Sequence, residues 1–147
     1  MKIRTGFVIT FADCPVYWKY KFQAETALST IESEINVLSH SFRELLPIID
    51  ITKLIGQAVE LTICDTTMNV SIYEDNAGAL ILASTFPPQF NPRSKYYASK
   101  TIWFCRKINK REIKLLKIET VEQLGGIFTK VLLRGSFEYL CKKIMGW

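Results

Sequence analysis

The chain has 147 residues, of which 48% are hydrophobic and 12% aromatic, a composition that suits one folded domain and excludes a disordered chain. Its net charge of +5 is unevenly distributed. Residues 1–92 hold six Lys/Arg and ten Asp/Glu (6 − 10 = −4), and residues 93–147 hold thirteen and four (13 − 4 = +9). A basic C-terminal half favours a polyanionic partner such as nucleic acid, although basic helices with an ordinary solvated surface produce the same balance.

Several function classes have little support in the sequence. No window holds eighteen uninterrupted apolar residues, so neither a membrane span nor a membrane partner is predicted. The short apolar run after the first basic residues alternates like a strand, unlike a signal peptide. Zinc binding is not supported, because His40 is the single histidine and the cysteines are widely spaced. Reduced thiols of an intracellular protein, in the cytoplasm or nucleus, are predicted instead; the cysteines are Cys14, Cys64, Cys105 and Cys141.

The first half of the chain predicts a hairpin and a long helix. Gly6–Phe11 and Val16–Lys21 alternate like paired strands around a turn. The helix is expected to start at Thr26 or Ser29 and to end near Pro47. Its apolar residues repeat at helical spacing; they are Ala27, Ile31, Ile35, Leu38, Phe42 and Leu45.

The second half predicts alternating strands and helices. Expected strands are Val59–Ile63, Met68–Tyr73 and Ile113–Ile118, and expected helices are Asn76–Ser84, a basic helix over Arg93–Asn109, Thr120–Phe128 weakened by two glycines, and an amphipathic helix over Gly135–Met145. This order favours a mixed sheet flanked by helices in one α/β domain over residues 1–147.

Two carboxylates are candidates for a metal-dependent site. With Ile31 at 0° and about 100° per residue, Glu34 lies about 60° from the centre of the apolar stripe. Glu34 can therefore lean toward the sheet, or it is an ordinary boundary carboxylate. Asp75 ends an apolar strand just before a helix, where its alternative role is a helix N-cap. Strand alternation places Glu74 on the other face, in solvent, and His40 is expected to be an exposed surface histidine.

Aromatic and basic residues offer a second kind of candidate site. The tryptophans Trp18, Trp103 and Trp147 are interpreted as core or boundary anchors rather than as base-stacking platforms. The basic helix and its start carry the residues expected to contact nucleic acid; they are Arg93, Lys95, Lys100, Arg106 and Lys107.

Eight segments in order resemble the ribonuclease H domain at the C-terminal end of copia-type retrotransposon polyproteins. ALSTIESEINVLS resembles the family's ALST-x-EAEY-x-ALS helix, and YEDNAGALILA resembles its strand and helix around CDN. The other similar segments are RTGFVI, CPVYWKYKFQ, PRSKYYASK, IKLLKI, EQLGGIFTK and FEYLCKKIMGW. The similarity runs over nearly the whole chain.

The resemblance implies an enzyme fold that hydrolyses the RNA strand of RNA–DNA hybrids. In the family, two magnesium ions held by four carboxylates activate water and stabilise the leaving oxygen. The family's helix glutamate falls on Glu34 and its strand-end aspartate on Asp75, so both are expected catalytic and metal-binding positions.

Two departures from the family imply loss of activity. The family's first strand and aspartate precede the RTGF segment, and the sequence holds only three residues before it, so the domain is expected to be truncated. The family's last aspartate falls on Gly126, which has no side chain. The chain is therefore interpreted as a degenerate ribonuclease H-like domain. The alternatives are a residual nucleic-acid-binding module, or a nuclease that is active when joined to upstream polyprotein sequence, with Glu122 substituting for the lost aspartate.

Overall fold

The computed structural model describes residues 4–23, 27, 29–59, 68–85, 98–111 and 113–146. Over these residues the chain has a mixed α/β fold, which confirms the predicted fold class. In chain order the elements are β1 (Arg4–Phe11), β2 (Cys14–Phe22), α1 (Thr30–Ala58), β3 (Ser71–Glu74), α2 (Ala77–Ser84), α3 (Ala98–Arg111), β4 (Lys114–Lys117), α4 (Gly126–Thr129) and α5 (Arg134–Met145).

The strands form two separate two-stranded sheets. β1 and β2 pair antiparallel, joined by a turn in which Ala12 and Asp13 have φ of 49° and 62°. β3 and β4 pair parallel, with Ser71 opposite Lys114. The described strands therefore include one antiparallel and one parallel pair, as expected of a mixed sheet. No described strand connects the two small sheets.

Helix α1 is the central element of the fold. The Ser29 hydroxyl caps it by accepting a hydrogen bond from the Glu32 amide at 3.1 Å, which confirms one of the two predicted starts; Thr26 lies outside the described residues. The predicted end near Pro47 is wrong, because α1 continues to Ala58. Proline lacks the amide donor and disfavours a helix interior, but Ile49 beyond it is buried at 5% exposure, so packing holds the helix together.

The core forms where α2, α3 and β4 pack on α1. The predicted apolar stripe is confirmed at Ile35, Leu38 and Phe42, which are nearly fully buried. Phe42 and Trp103 meet edge to face with ring centroids 6.2 Å apart, so Trp103 is a boundary anchor as predicted. Trp18 is 62% exposed, which makes the same prediction wrong for that residue. Trp147 lies outside the described residues.

Several element boundaries differ from the prediction. Most of the predicted strand Val59–Ile63 lies outside the described residues, and α1 and its C-cap extend to Val59. Turns occupy 120–122 and 124–125, and the predicted helix there is reduced to the single turn of α4. Adjacent glycines explain the difference, since glycine weakens a helix by roughly 0.5–1 kcal/mol relative to alanine. The last helix, α5, is confirmed, with Leu140 buried against the rest of the fold.

Candidate functional site

The structure brings Glu34 and Asp75 into one cleft. Glu34 is partly buried on α1, and Asp75 follows the last residue of β3. Burial raises the pKa of Glu34, the negative charge of Asp75 raises it further, and the charge of Lys130 lowers it. The two predicted carboxylates therefore interact electrostatically, as the resemblance implies for a shared site.

Asp75 is paired with a lysine. Its Oδ2 lies 2.6 Å from Nζ of Lys130, the residue after α4, and the Asp75 side chain is only 13% exposed. The alternative role of Asp75 as a helix cap is wrong: Asn76 is the N-cap of α2 and accepts a hydrogen bond from the Ala79 amide at 3.0 Å. With the cap supplied by its neighbour, the Asp75 carboxylate is directed to the charge of Lys130.

Glu74 is a third carboxylate of the site, and the prediction that it is solvated is wrong. It is 3% exposed, and its Oε1 accepts a hydrogen bond from the Asn76 amide at 2.9 Å. Desolvation raises its pKa to about 7, partly opposed by that hydrogen bond. Tyr73, at 50% exposure, is the residue that faces outward. The prediction for Glu74 was wrong because strand alternation alone does not say which face of β3 is covered.

Gly126 is buried at the start of α4, close to Lys130. A Cβ placed on it meets only the Lys130 side chain, with Cδ at the ordinary contact distance of 3.7 Å. The neighbouring Gly125 has no such room, since its Cβ falls 2.9 Å from the carbonyl oxygen of Gly6. Position 126, where the resemblance implies an aspartate, therefore lies beside the Asp75–Lys130 pair and has space for a side chain.

Glu122, the predicted substitute for an aspartate at position 126, has both carboxylate oxygens engaged by other residues. Its Oε1 accepts a hydrogen bond from the Tyr139 hydroxyl at 2.6 Å, and its Oε2 pairs with Lys143. Both partners belong to α5. Binding a metal beside Asp75 would require Glu122 to give up both of these contacts.

The residues present do not fit a resident pair of magnesium ions. In the described parts of the chain, no group of three or more His, Cys, Asp or Glu side chains is arranged to hold a metal. Magnesium favours several oxygen ligands in near-octahedral geometry. Here one carboxylate already has Lys130 as its counter-ion, and Gly126 supplies none. Magnesium remains a prediction that follows from the resemblance alone.

The predicted basic residues are only partly gathered on one surface. Arg106, Lys107 and Lys110 of α3 surround a shallow depression beside Trp103. Lys100 instead donates a hydrogen bond to Oδ1 of Asn36 on α1 at 2.9 Å. Arg93 and Lys95 lie outside the described residues.

His40 and the described cysteines do not line the carboxylate cleft. His40 is partly buried rather than exposed, and burial together with nearby Lys and Arg charges lowers its pKa. Cys14, Cys105 and Cys141 are free thiols, as predicted. None of the helices in the described segments has the length and apolar character needed to cross a bilayer.

The structure therefore defines the protein as an α/β domain that has a carboxylate-lined cleft and a basic helix. The chain is 26% identical over 147 residues to the "Retrovirus-related Pol polyprotein from transposon TNT 1-94" of Nicotiana tabacum. It is 24% and 25% identical over 139 residues to the corresponding polyproteins from transposons RE1 and RE2 of Arabidopsis thaliana. The similarity covers 99% of this chain in the first case and 95% in the others.

The chain thus has homologues among retrotransposon Pol polyproteins, at low identity. It spans only 10%, 9% and 9% of the length of these three relatives. No protein-family model matches the chain, and no solved structure matches it significantly. The retrotransposon part of the predicted resemblance is confirmed, and the assignment to the ribonuclease H domain stays a prediction.

Proposed function

We propose that the chain is a degenerate ribonuclease H-like domain of retrotransposon origin that binds RNA–DNA hybrid without cleaving it. The observation that carries this proposal is the ion pair between Asp75 and Lys130 beside a glycine at position 126. Hydrolysis in the family depends on concentrated positive charge from metal ions at the phosphate. Two candidate carboxylates, one of them already neutralised by a lysine, are a poor donor set for such ions.

Binding needs less from the protein than hydrolysis does. Lysine and arginine attract phosphates through charge, and this interaction tolerates shifts that abolish catalysis. The basic side of α3, formed by Arg106, Lys107 and Lys110, supports the binding part of the proposal. The alternative of a nuclease completed by upstream polyprotein sequence has no comparable support, because Glu122 is occupied by contacts to α5.

The first prediction is that the chain binds an RNA–DNA hybrid through its basic helix and does not cleave it. The purified chain is expected to leave a labelled RNA–DNA hybrid intact in magnesium and in manganese, and to bind it with a strong salt dependence. Replacing Arg106→Glu and Lys107→Glu together should weaken binding about tenfold or more and reduce the salt slope by about 2. Fluorescence anisotropy at several salt concentrations measures both quantities.

A matched pair of charge reversals separates a local contact from a change in net charge. Lys114→Glu with Lys117→Glu, both exposed on β4, should change the salt slope less than the α3 variant. Equal losses in both variants would contradict a binding surface on α3. Cleavage that disappears in the Glu34→Ala, Asp75→Ala variant would contradict the absence of activity. Cleavage that appears only after adding a family-like N-terminal strand would support the nuclease alternative.

The second prediction tests whether position 126 lies in a former metal site. Gly126→Asp should fold, because its Cβ has room, and should add a carboxylate to the cleft that Glu34, Glu74 and Asp75 line. A melting temperature that rises with added manganese is then expected in the variant but not in the parent chain. A ligand at ten times its Kd stabilises by about 1.4 kcal/mol. Differential scanning fluorimetry with and without manganese measures the shift.

Gly135→Asp is the matched control for this substitution. Gly135 lies in the first turn of α5 with nothing within 4 Å of its added Cβ, so this variant gains the same charge away from the cleft. A manganese response of the parent chain as large as that of Gly126→Asp would contradict the inferred loss of the site. A response of Gly135→Asp would show non-specific binding.

A further inference from the structure

Helix α1 carries a histidine that is surrounded by cationic side chains from three elements. His40 is partly buried, and burial together with four positive charges lowers its pKa, so the imidazole is neutral at pH 7. The four cations are Lys21, Arg43, Lys100 and Lys19, which belong to β2, α1 and α3. His40 and these four residues are called the His40 cluster below. Composition did not indicate it, because the N-terminal part of the chain, which holds most of its members, has a negative net charge.

Strand β2 is held beside α1 by an ion pair. Lys19 pairs with Oε1 of Glu44, which lies one turn after His40 on the same side of α1. Lys21 is two residues further along β2, and residues two apart on a strand point to the same face. Tyr17, two residues earlier, also acts on Lys19 and Glu44. β2 therefore presents both lysines to the helix face that carries His40.

Helix α3 supplies the fourth cation of the cluster. Lys100 donates a hydrogen bond at 2.9 Å to Oδ1 of Asn36, which lies one turn before His40. Arg43, one turn after His40, has its guanidinium carbon 5.6 Å from the ring centroid of Trp103 on α3. Residues spaced by three or four share one face of a helix. The face of α1 that carries His40 therefore lies next to α3 as well as β2.

The His40 cluster has an excess of positive charge. Its four cations are accompanied by the carboxylate of Glu44, so these five side chains carry a net charge of +3 (4 − 1 = +3). Like charges that lie close together repel one another, and a bound anion would remove this repulsion. The neutral imidazole adds a group that can gain a positive charge when an anion is present.

The cluster is separate from the two candidate sites described above. None of its four cations is among the described residues that line the carboxylate cleft. None of them is among those that line the depression formed by Arg106, Lys107 and Lys110 on α3. Trp103 lies between the depression and the cluster, since it lines the former and lies beneath Arg43 of the latter.

We infer that the His40 cluster is a phosphate-binding site, in which His40 takes up a proton from solvent when a phosphate group binds. A phosphate monoester carries up to two negative charges and three acceptor oxygens on one atom, which suits cations that approach from three elements. Arginine binds such oxygens through its planar fork and lysine through a point charge. A carboxylate group offers one charge and two oxygens, and fits the cluster less well.

The phosphate group belongs to a nucleic-acid backbone or to a free phosphate compound, since both present the same oxygens. The inference rests on the placement of the cationic side chains around α1. It does not depend on hybrid binding by α3 or on metal in the carboxylate cleft.

The first test follows the imidazole by proton NMR, using the full chain without an affinity tag. His40 is the single histidine of the chain, so its ring signals are unambiguous. Sodium tripolyphosphate is the ligand, and sodium chloride at equal ionic strength is the control, because salt alone screens the repulsion between the cations. Tripolyphosphate should raise the pKa of His40 above its value in the matched salt.

His40→Gln separates proton uptake by the histidine from protonation of the ligand. The variant binds the same ligand without a titrating imidazole, so the ligand's own pH dependence cancels in the ratio of the two affinities. The affinity of the parent chain relative to His40→Gln should increase about tenfold from pH 8 to pH 5. Isothermal titration calorimetry measures both affinities.

A matched pair of double variants locates the site. Lys21→Gln with Arg43→Gln removes two cations of the cluster, and should weaken tripolyphosphate binding about tenfold or more. Lys53→Gln with Lys117→Gln removes two exposed cations from α1 and β4, and binding should stay within about twofold of the parent chain at 0.15 M salt. Circular dichroism verifies that both variants fold.

The RNA–DNA hybrid distinguishes the two sources of phosphate. Weaker hybrid binding by the Lys21→Gln, Arg43→Gln variant would assign the site to a nucleic-acid backbone. Unchanged hybrid binding, with tripolyphosphate binding lost, would assign it to a free phosphate compound. The Arg106→Glu, Lys107→Glu variant should bind tripolyphosphate within about threefold of the parent chain, so failure of the α3 surface is distinguishable from failure of this site.

Three results would overturn the inference. They are a pKa of His40 that tripolyphosphate leaves at its value in the matched salt, equal tripolyphosphate binding by the Lys21→Gln, Arg43→Gln variant, and an affinity ratio to His40→Gln that does not change with pH. Tighter binding of a blocked tetraglutamate peptide than of tripolyphosphate would also overturn it, because the ligand would then be an acidic peptide. The NMR titration of the parent chain decides the question even if a variant fails to fold.

Discussion

Replacing Gly6→Ala is expected to destabilise the fold by about 2 kcal/mol, within the range for overpacked sites. The added Cβ falls 2.6 Å from the Cβ of Phe128 and 2.8 Å from Cγ2 of Thr129. Both neighbours belong to α4, so this helix must move away from β1 to make room. For a chain of this size the melting temperature should fall by roughly 6 °C, measured by calorimetry or circular dichroism.

Gly135→Ala is the control for the Gly6 prediction. Its added Cβ meets nothing within 4 Å, and the residue lies in α5. Alanine is a better helix former than glycine by roughly 0.5–1 kcal/mol, so this variant should be slightly more stable than the parent chain. A Gly6→Ala variant as stable as the parent would contradict the close packing of β1 on α4.

The packing of Gly6 also bears on the proposed site. Thr129 is the last residue of α4 and Lys130 follows it, so a shift of α4 moves the lysine that pairs with Asp75. Sequence reasoning found neither contact, because a close approach between distant segments leaves no local pattern. The resemblance drew attention to the QLGG segment as a departure from the family, and the structure adds that its first glycine, Gly125, is required by Gly6.

The sequence predicted the elements whose signal is local and periodic. The apolar stripe of α1, at Ile35, Leu38 and Phe42, required only helical spacing and is buried as predicted. The end of α1 at Pro47 was wrong because a local rule was overridden by packing beyond the proline. The division into two sheets was not predictable from periodicity, since strand pairing depends on contacts between residues far apart in the chain.

The candidate site shows the same limit. Glu34 and Asp75 were placed together by helical geometry and by the resemblance, and both line one cleft. Lys130 and Glu74 were missed as members of the site. An ion pair across 55 residues has no sequence signature, and the burial of Glu74 depends on which face of β3 is covered.

Glu74 carries the second prediction of large effect, which concerns pH. Its pKa is raised from 4.5 to about 7 in the folded chain, chiefly by burial. Below pH 4.5 the carboxyl is protonated in both folded and unfolded states, and it adds no pH dependence. Between pH 4.5 and about 7 only the unfolded state releases this proton, so stability falls as pH rises. Above about pH 7 the loss is complete, at about 3 kcal/mol.

Glu74→Gln should remove this loss. Glutamine keeps an oxygen that can accept the Asn76 amide and cannot ionise, so the variant is expected to be more stable than the parent chain at pH 8 by up to about 3 kcal/mol. Near pH 4 the two proteins should differ little. Urea unfolding at half-unit steps from pH 4 to pH 8 measures the difference. A smaller fall with pH should remain in the variant, because burial also raises the pKa of Glu34.

Glu119→Gln is the matched control, since Glu119 is exposed just after β4. It should follow the pH profile of the parent chain within about 0.5 kcal/mol. Parallel profiles for Glu74→Gln and the parent would mean that Glu74 reaches solvent in the folded chain. A gain in stability confined to high pH would instead establish that a buried carboxylate behind Asp75 holds a proton near neutral pH. The cleft would then carry less negative charge than its residues indicate, which further weakens its hold on a divalent cation.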